Sequence, residues 1–292
     1  MSFSQHLQNR LVEYQLDPIY VEDIVTRTIE EDLAGGIDIT SQATIPADQI
    51  SIAEFRTRRA GVVSGLCIAA AVLEVGGITD YQILLHEGGH VEAGQLLISA
   101  KGNTRSLLLA ERSSLNFMGR LSGISTLTKR WVDDVKGLPV QIRDTRKTTP
   151  LLRELEKFAV RMGGGVNHRM SLSDAALIKD NHILAAGSVT KAFEAVRRSY
   201  PEAEVEVEVD RLEQLRDVVA AGADLVLLDN MSLEQCRAAV EIVKGRTKLE
   251  ASGGLTLENA HAYASTGVDF LAVGALTHSA PVLDIGLDFK VV

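Results

Sequence analysis

The chain has 292 residues, of which 46% are hydrophobic and 24% are charged, and it is long enough for one large or two ordinary globular domains. Its net charge of −9 argues against a broad nucleic-acid surface, which needs many cations along one face, so we expect no nucleic-acid partner. No window reaches the roughly 18 consecutive apolar residues of a membrane span, and the first residues lack a signal-peptide core. We therefore expect a cytoplasmic protein without a membrane partner. The two cysteines, Cys67 and Cys236, are expected to be buried small apolar side chains.

Helices and short strands are predicted for the first part of the chain. Residues 18–32 carry apolar side chains at helical spacing and are followed by a glycine-rich turn, whereas residues 50–60 alternate as a strand does. A helix of small, packed residues is predicted over 61–77. Residues 81–102 read as short strands with glycines at the turns.

His86, Glu87 and His90 match the HExxH string of zinc proteases. That zinc site needs a helix, because a helix places the two histidines one turn apart on one face. Each of the two adjacent glycines between them would cost about 1 kcal/mol in a helix interior. The flanking residues also alternate as strands do, so we predict a glycine turn and no zinc site.

From about residue 104 to residue 136 the apolar side chains recur at intervals of three and four without a proline. This spacing predicts one or two long helices that lead from a small first domain into a second. Arg112 lies on this segment. It would supply a cation to a partner's site if that face of the helix meets one.

After Gly137 the sequence alternates between short apolar runs and helical segments. The predicted strands are residues 139–145, 175–180, 204–209, 223–229, 248–252 and 269–274, and the predicted helices include 188–200, 211–222, 232–245 and 256–267. Strands separated in this way by helices predict a parallel β/α architecture, and six such units favour a barrel or partial barrel over an open doubly wound sheet. No GxGxxG sequence follows the first strand, which argues against a dinucleotide-binding fold.

Polar residues end these apolar runs at the carboxyl ends of the strands, where parallel barrels build their active sites. The residues concerned are Arg146, Lys147, Lys179, Glu208, Asp229, Ser252 and Gly274. Residues 143–182 also carry a net charge of +3 within an acidic protein. Several cations in so short a segment indicate a small, highly anionic ligand.

Two carboxylates, Glu208 and Asp229, face this predicted anion site and would repel phosphate by themselves. A divalent ion such as Mg²⁺ between them would turn that repulsion into a bridge. The glycine-bearing strand ends at 251–254 and 273–276 offer backbone N–H groups to a phosphate. The residues therefore predict a site for a phosphorylated sugar, a metal ion and a second anion.

Other charged residues of the basic segment have simpler interpretations. Arg153, Lys157 and Arg161 are spaced four apart on a predicted helix, and we expect them to form surface ion pairs with Glu154 or Glu156. His182 is expected to cap a helix. The histidines His6, His261 and His278 give no sign of a functional role.

Eight motifs occur in a specific order along the chain: EDLAGGIDITS, RDTRKTTP, EKFAVRMGGGVNHR, LIKDNH, VEVEV, LLDN, LEASGG and VGALTHS. With these motifs the chain closely resembles the quinolinate phosphoribosyltransferase family, of the type II phosphoribosyltransferase fold, from about residue 19 to residue 288. The combination of TRKT with GGGxNHR and LIKDNH is the most specific part of the resemblance.

The resemblance implies an α/β fold with two domains. An N-terminal α/β sandwich domain of residues 1–115 would be joined by the C-terminal tail 278–292, and residues 116–277 would form an open, incomplete parallel α/β barrel. It also implies a homodimer whose sites lie between one subunit's barrel and the other's N-terminal domain. The family converts quinolinate and phosphoribosyl pyrophosphate, with Mg²⁺, to nicotinate mononucleotide, pyrophosphate and CO₂ in NAD synthesis.

Site residues follow from the resemblance position by position. The implied substrate-binding residues are Arg112, Thr145, Arg146, Lys147, His168, Arg169, Lys179, Glu208, Asp229, Ser252, Gly253, Gly254, Val273, Gly274 and Ala275. Among them, Arg112 would come from the neighbouring subunit and Lys147 would neutralise the leaving pyrophosphate. Glu208 and Asp229 would bind the metal ion and the ribose. The chain departs from the family pattern at Leu151, where glycine is common, and this puts the local turn in doubt.

Other functions are considered beside this one. An aldolase-like barrel would form a Schiff base on Lys147 or Lys179, but such a lysine needs apolar surroundings and both lie among charged residues. A paralogue of the molybdenum-uptake-associated type would act on another anionic ring at the same site. A non-catalytic sensor of phosphoribosyl compounds would not need Lys147 together with Glu208 and Asp229.

Overall fold

A computed structural model describes residues 3–292 of the chain. The helices are α1 (Gln5–Glu13), α2 (Pro18–Leu33), α3 (Ile39–Thr44), α4 (Leu66–Val75), α5 (Thr104–Asp134), α6 (Arg153–Met162), α7 (Asp180–Ala186), α8 (Val189–Ser199), α9 (Leu212–Ala220), α10 (Leu233–Val243), α11 (Leu257–Ala264) and α12 (Ala275–His278). The strands are β1 (Ile50–Thr57), β2 (Gly61–Val62), β3 (Asp80–Ile83), β4 (His90–Val91), β5 (Leu96–Asn103), β6 (Gln141–Arg143), β7 (Ala176–Ile178), β8 (Val205–Val209), β9 (Leu225–Asp229), β10 (Lys248–Ser252), β11 (Phe270–Ala272) and β12 (Ile285–Val291).

Most of the predicted elements are confirmed. The six strands predicted after Gly137 are β6 to β11, and the segment predicted as one or two helices is the single helix α5. The glycine-rich turn after α2 ends earlier than expected, because α3 begins at Ile39. Asp38 caps that helix by accepting a hydrogen bond from the backbone N–H of Ser41, a local interaction that hydrophobic periodicity does not reveal.

The described residues form two compact units. The first contains the described residues up to Leu127 together with Glu154–Gly164 and Ala280–Val292, and the second contains Thr128–Arg153 and Gly165–Ser279. These limits describe compactness, so the predicted domain boundaries stay a prediction. Within residues 3–292, none of the helices is both long and apolar enough to cross a membrane.

A four-stranded sheet in the order β12-β1-β5-β3 is the centre of the first unit. Its strands pair antiparallel, and β12 lies beside β1 from Ile285 to Val291. The carboxyl-terminal segment therefore returns to this sheet, as the resemblance implied. Helix α4 is buried from Leu66 to Leu73 and packs against α1 and α2. Cys67 is one of these buried residues, as predicted.

Glu87, the central residue of the HExxH string, has a structural role. Its carboxylate is buried and accepts hydrogen bonds from the backbone N–H groups of Gly65 and Cys67, at the start of α4. Gly88 has φ +77, and the N–H of Gly89 bonds to the carbonyl of His86. The predicted glycine turn is confirmed, and the carboxylate in it caps a helix.

The contacts of helix α6 contradict the prediction that its charged residues form surface ion pairs. Lys157 and Glu156 are fully buried, and Glu156 accepts a 2.8 Å bond from Arg120 on α5. Arg161 donates to the backbone carbonyl of Tyr14 at 2.8 Å. The prediction was wrong because these partners are distant in sequence, whereas helical spacing reports only neighbours on the same helix.

Six parallel strands build the second unit, in the order β6-β11-β10-β9-β8-β7. Among the described residues, β6 and β7 do not pair with each other. The sheet is therefore open, which confirms the incomplete parallel α/β barrel.

Leu151, in the loop after β6, has φ +66, a region that favours glycine, so its backbone has the turn conformation that glycine would adopt most easily. At the start of α7, the backbone N–H of Lys179 donates to Nδ1 of His182, which confirms the predicted cap.

Candidate active site

A cavity of about 290 Å³ lies at the carboxyl ends of the barrel strands. It is lined by Thr145, Arg146, Lys147, His168, Arg169, Leu177, Lys179, Glu208, Leu227, Asp229, Glu250, Ser252 and Ala272. The structure thus brings together nine of the predicted site residues, from strands that are far apart in sequence. All of them belong to the second unit.

Two guanidinium groups in this cavity have donors that the protein leaves unused. Nε of Arg146 and Nε of Arg169 are buried and have no hydrogen-bond partner among the described residues. Arg169 also donates from Nη1 to the carbonyl of Ala175 at 2.9 Å. Burial and the neighbouring charge of Arg146 lower the pKa of Arg169. Two adjacent cations with unsatisfied donors are suited to bind an anion, which would relieve their repulsion.

Lys147 extends along the turn after β11. Its backbone carbonyl accepts a 2.9 Å hydrogen bond from the hydroxyl of Thr277. A Cβ atom on Gly274 would lie 3.1 Å from Cδ of Lys147 and 3.3 Å from Nε2 of His278, so both side chains pack closely over this glycine. The side chain of His278 therefore lies near the predicted site. Sequence reasoning missed it, because a single histidine after a short strand has no distinguishing pattern.

Two carboxylates line the same cavity on neighbouring strands. Oε2 of Glu208, on β8, lies 2.5 Å from Nζ of Lys179, and Oδ2 of Asp229, on β9, accepts a 2.9 Å bond from Nδ2 of Asn230. Mg²⁺ prefers oxygen ligands and is commonly bound by one or two carboxylates together with substrate phosphates. This donor set therefore fits Mg²⁺. A second cavity of about 250 Å³ adjoins Glu208 and Asp229 and adds the carboxylates of Asp180 and Asp210.

The turn after β10 requires glycine. Gly253 and Gly254 have φ +91 and +60, and a Cβ atom on Gly253 would lie 2.1 Å from Oδ1 of Asn230. Within residues 3–292, neither glycine N–H donates to a protein acceptor. The turn after β11 differs, because the N–H of Val273 already donates to the carbonyl of Arg143 at 2.9 Å. The first turn thus offers free donors to a phosphate, and the amide of Val273 does not.

A buried charged cluster that sequence reasoning did not identify lies at the wall of the cavity, where His168 and Glu250 line it. Nε2 of His168 is 2.6 Å from Oε2 of Glu206, and Nη1 of Arg143 donates to Oε2 of Glu250 at 2.7 Å. Burial raises the pKa of Glu206 and that of Glu250 to about 7 each. A signal was present in the sequence VEVEV, since Glu206 and Glu208 point to the same face of a strand that is covered on both faces.

Arg112 is exposed on α5 and is not among the residues that line the cavity. Its predicted role requires a second subunit. The other predicted residues follow the lining residues Ser252 and Ala272 along the chain without lining the cavity themselves; they are Gly253, Gly254, Val273, Gly274 and Ala275. The individual roles of these residues stay predictions.

Comparisons with known proteins agree on one family. The family model for the quinolinate phosphoribosyl transferase N-terminal domain matches residues 38–122, and the model for the C-terminal domain matches residues 124–288. Nicotinate-nucleotide pyrophosphorylase (carboxylating) of Mycobacterium leprae is 51% identical over 272 residues, which cover 91% of this chain and 96% of the relative. A probable nicotinate-nucleotide pyrophosphorylase (carboxylating) of Bacillus subtilis is 39% identical over 278 residues, or 94% of each chain.

Solved structures show the same fold. NadC from Streptococcus pyogenes matches with a TM-score of 0.90 at 37% identity, covering 95% of this chain and 99% of that chain. The nicotinate-nucleotide pyrophosphorylase from Francisella tularensis matches with a TM-score of 0.87 at 40% identity, covering 92% and 97%. The similarity extends over both units of the chain.

Proposed function

Since the chain belongs to the quinolinate phosphoribosyltransferase family, we propose that its barrel cavity binds quinolinate and phosphoribosyl pyrophosphate. The protein is a pentosyltransferase with nicotinate-nucleotide pyrophosphorylase (carboxylating) activity. It forms nicotinate mononucleotide, pyrophosphate and CO₂ in NAD biosynthesis. The main support from the structure is a single cavity in which Arg146 and Arg169, with unused donors, face the carboxylates Glu208 and Asp229.

Quinolinate binds through its two carboxylates. Arg146, Arg169 and Lys179 attract them, and His168 contributes a ring nitrogen at the same wall of the cavity. Binding in this way places the pyridine nitrogen toward the ribose and fixes the reacting atoms relative to each other. Such positioning converts a reaction between two substrates into one within a single complex.

Departure of pyrophosphate is assisted by charge. Lys147 neutralises the leaving group. Glu208 and Asp229 stabilise the positive charge that develops on the ribose ring. The same two carboxylates would hold Mg²⁺, which when bound supplies positive charge to the pyrophosphate oxygens. Because Lys179 already contacts Glu208, this carboxylate is oriented before substrate arrives. The pyridine nitrogen attacks the anomeric carbon with inversion as pyrophosphate leaves.

Loss of CO₂ follows from the charge on the alkylated pyridine nitrogen. The bond between ring carbon 2 and its carboxylate breaks, and the cationic ring stabilises the electron pair that stays on carbon 2. A proton then binds that carbon and completes nicotinate mononucleotide. These steps need no nucleophilic side chain, so the site has to supply position and charge.

A homodimer is part of the proposal. Arg112 is exposed on α5, so it is available to enter the cavity of a second subunit, as the resemblance to the family implies. It would add a further cation to the quinolinate site. The cytoplasmic location expected from the sequence belongs to the same proposal.

Product formation with different pyridines tests the proposal. We expect nicotinate mononucleotide from quinolinate and phosphoribosyl pyrophosphate in the presence of Mg²⁺, and little or no product when nicotinate replaces quinolinate. Preference for nicotinate or another ring would favour a paralogous phosphoribosyltransferase. Binding of both substrates without turnover would favour the non-catalytic sensor.

A further inference from the structure

Two buried carboxylates hold His168, one at its backbone and the other at its imidazole ring. The backbone N–H of His168 donates to Oδ1 of Asp144 at 2.9 Å, and its ring nitrogen Nε2 lies 2.6 Å from Oε2 of Glu206. The side chains of Asp144, His168 and Glu206 are each less than one tenth exposed. Backbone and ring are therefore fixed separately, and the ring still lines the substrate cavity.

A further buried carboxylate, that of Glu250, joins the same cluster. Glu250 approaches the same ring nitrogen of His168, at 3.8 Å from its Oε1, and its Oε2 accepts the 2.7 Å bond from Arg143. The guanidinium of Arg143 also lies 4.5 Å from the centre of the Phe270 ring. The cluster thus joins residues of β6, β8, β10 and β11 at the wall of the cavity.

A metal ion is an alternative occupant of the cluster. The ligand atoms of His168, Glu206 and Glu250 lie within 4.8 Å of one another, which a metal ion could span. However, Arg143 and Arg169 already act on Glu206 as neighbouring positive charges. These cations would repel a divalent ion, so the geometry favours a hydrogen-bonded cluster without metal.

We propose that Glu206 is a positioning residue for quinolinate, whose carboxylate fixes the His168 imidazole at the wall of the cavity. This inference rests on the proposed function, because it takes the cavity to be the quinolinate site. Glu206 does not line that cavity, so its effect passes through the histidine. Outer partners of histidine ligands have comparable effects in metal sites, where their removal weakens binding by about 10–100-fold.

Binding and kinetics of Glu206→Gln test the inference. Above pH 7, where the Glu206 carboxyl is ionised, the amide keeps the shape of the side chain and removes its charge, so the bond to Nε2 of His168 weakens. We expect the Kd for quinolinate alone, measured by calorimetry, to rise by about tenfold or more. The KM for phosphoribosyl pyrophosphate should change by less than about twofold, because the ribose carboxylates are intact. Loss of folded protein alone would lower the binding stoichiometry and the apparent kcat and leave both constants unchanged, so a rise in the Kd for quinolinate alone indicates positioning.

A second variant and a matched control make the test independent of folding. Glu206→Asp keeps the charge but draws it back from His168, and we expect the same loss of quinolinate affinity. Glu202→Gln makes the same chemical change as Glu206→Gln at an exposed position shortly before the same strand, and it should bind as wild type does. In a His168→Ala background the effect of Glu206→Gln should disappear, since the residue through which it acts is gone.

The outcomes distinguish failure of this inference from failure of the proposed function. If the wild-type protein forms no product from quinolinate, the proposed function is wrong. If wild type is active but Glu206→Gln and Glu206→Asp bind quinolinate as tightly as wild type does, the positioning role is wrong. Full additivity with His168→Ala would also contradict it. So would one equivalent of metal in the purified protein that Glu206→Gln loses.

Discussion

Lys147 is the residue whose removal most directly tests the charge mechanism. We expect Lys147→Ala to lower kcat by about 10²–10³, the usual effect of losing one group that stabilises transition-state charge. The KM for quinolinate should change little, because Arg146 and Arg169 stay in place. Steady-state kinetics at saturating substrates measures this, with Lys136→Ala, an exposed lysine that does not line the cavity, as the control. Wild-type turnover in Lys147→Ala would refute the leaving-group role.

Glu250 makes folding stability depend on pH. Burial raises its pKa from 4.5 to about 7, so between these values the folded protein holds a proton that the unfolded chain has released. This contribution to stability is complete below pH 4.5 and is lost as pH rises through about 7. In Glu250→Gln the fall of the free energy of unfolding over this range should be shallower by up to about 1.4 kcal/mol per pH unit. Urea unfolding at a series of pH values measures it, and parallel curves for variant and wild type would contradict it.

At the residue scale, the sequence identified the cations of the site but not the buried carboxylates Glu206 and Glu250 beside them. Arg146, Lys147 and Lys179 lie at or just after the ends of predicted strands, and this position is visible in the sequence. Glu206 and Glu250 lie within strands, where a charged residue has no fixed meaning until its neighbours are known. Their partners, His168 for Glu206 and Arg143 for Glu250, are distant in sequence, and no local pattern reports such contacts.

Helices and strands were predictable wherever a single periodicity of apolar residues dominated the sequence. The alternation of short apolar runs with helical segments gave all six barrel strands, because buried parallel strands are continuously apolar. Helix α3 and the buried side of α6 were missed for different reasons. The former depends on the cap at Asp38 and the latter on tertiary contacts of Glu156 and Lys157.

The turn between β10 and α11 provides a test at this scale. Gly253→Ala would place a Cβ atom 2.1 Å from Oδ1 of Asn230 in a backbone with φ +91. We expect a loss of about 1–3 kcal/mol in the free energy of unfolding, because positive φ and contact strain add. Gly245→Ala is the matched control, since its φ is +74 but a Cβ atom there would meet open space. Equal losses in the two variants would show that the contact with Asn230 is unimportant.

The whole molecule was recognisable from its motifs, yet its assembly was not determined by them. The open six-stranded sheet and the return of β12 to β1 match the expectations from the family. The homodimer is still a proposal, because the role predicted for Arg112 requires a second subunit. Sequence periodicity reports what one chain buries, and a shared site depends on a second copy.

Mixing two inactive variants tests that shared site. Arg112→Ala and Lys147→Ala should each have little activity, but dissociating and reassembling them together should restore about a quarter of wild-type activity, because half of the dimers are hybrids with one intact site. Activity is measured before and after exchange, and differently tagged subunits confirm that hybrids form. Hybrid dimers without recovered activity would show that the two residues do not belong to one site across the interface.

Release of CO₂ from quinolinate labelled at its 2-carboxylate is the most direct test of the central claim. With Mg²⁺ and phosphoribosyl pyrophosphate present, we predict labelled CO₂ and nicotinate mononucleotide in equal amounts. With phosphoribosyl pyrophosphate omitted, we predict no release, because the carboxylate leaves only after the ring nitrogen has been alkylated. Release that does not depend on phosphoribosyl pyrophosphate, or no release in its presence, would contradict the account.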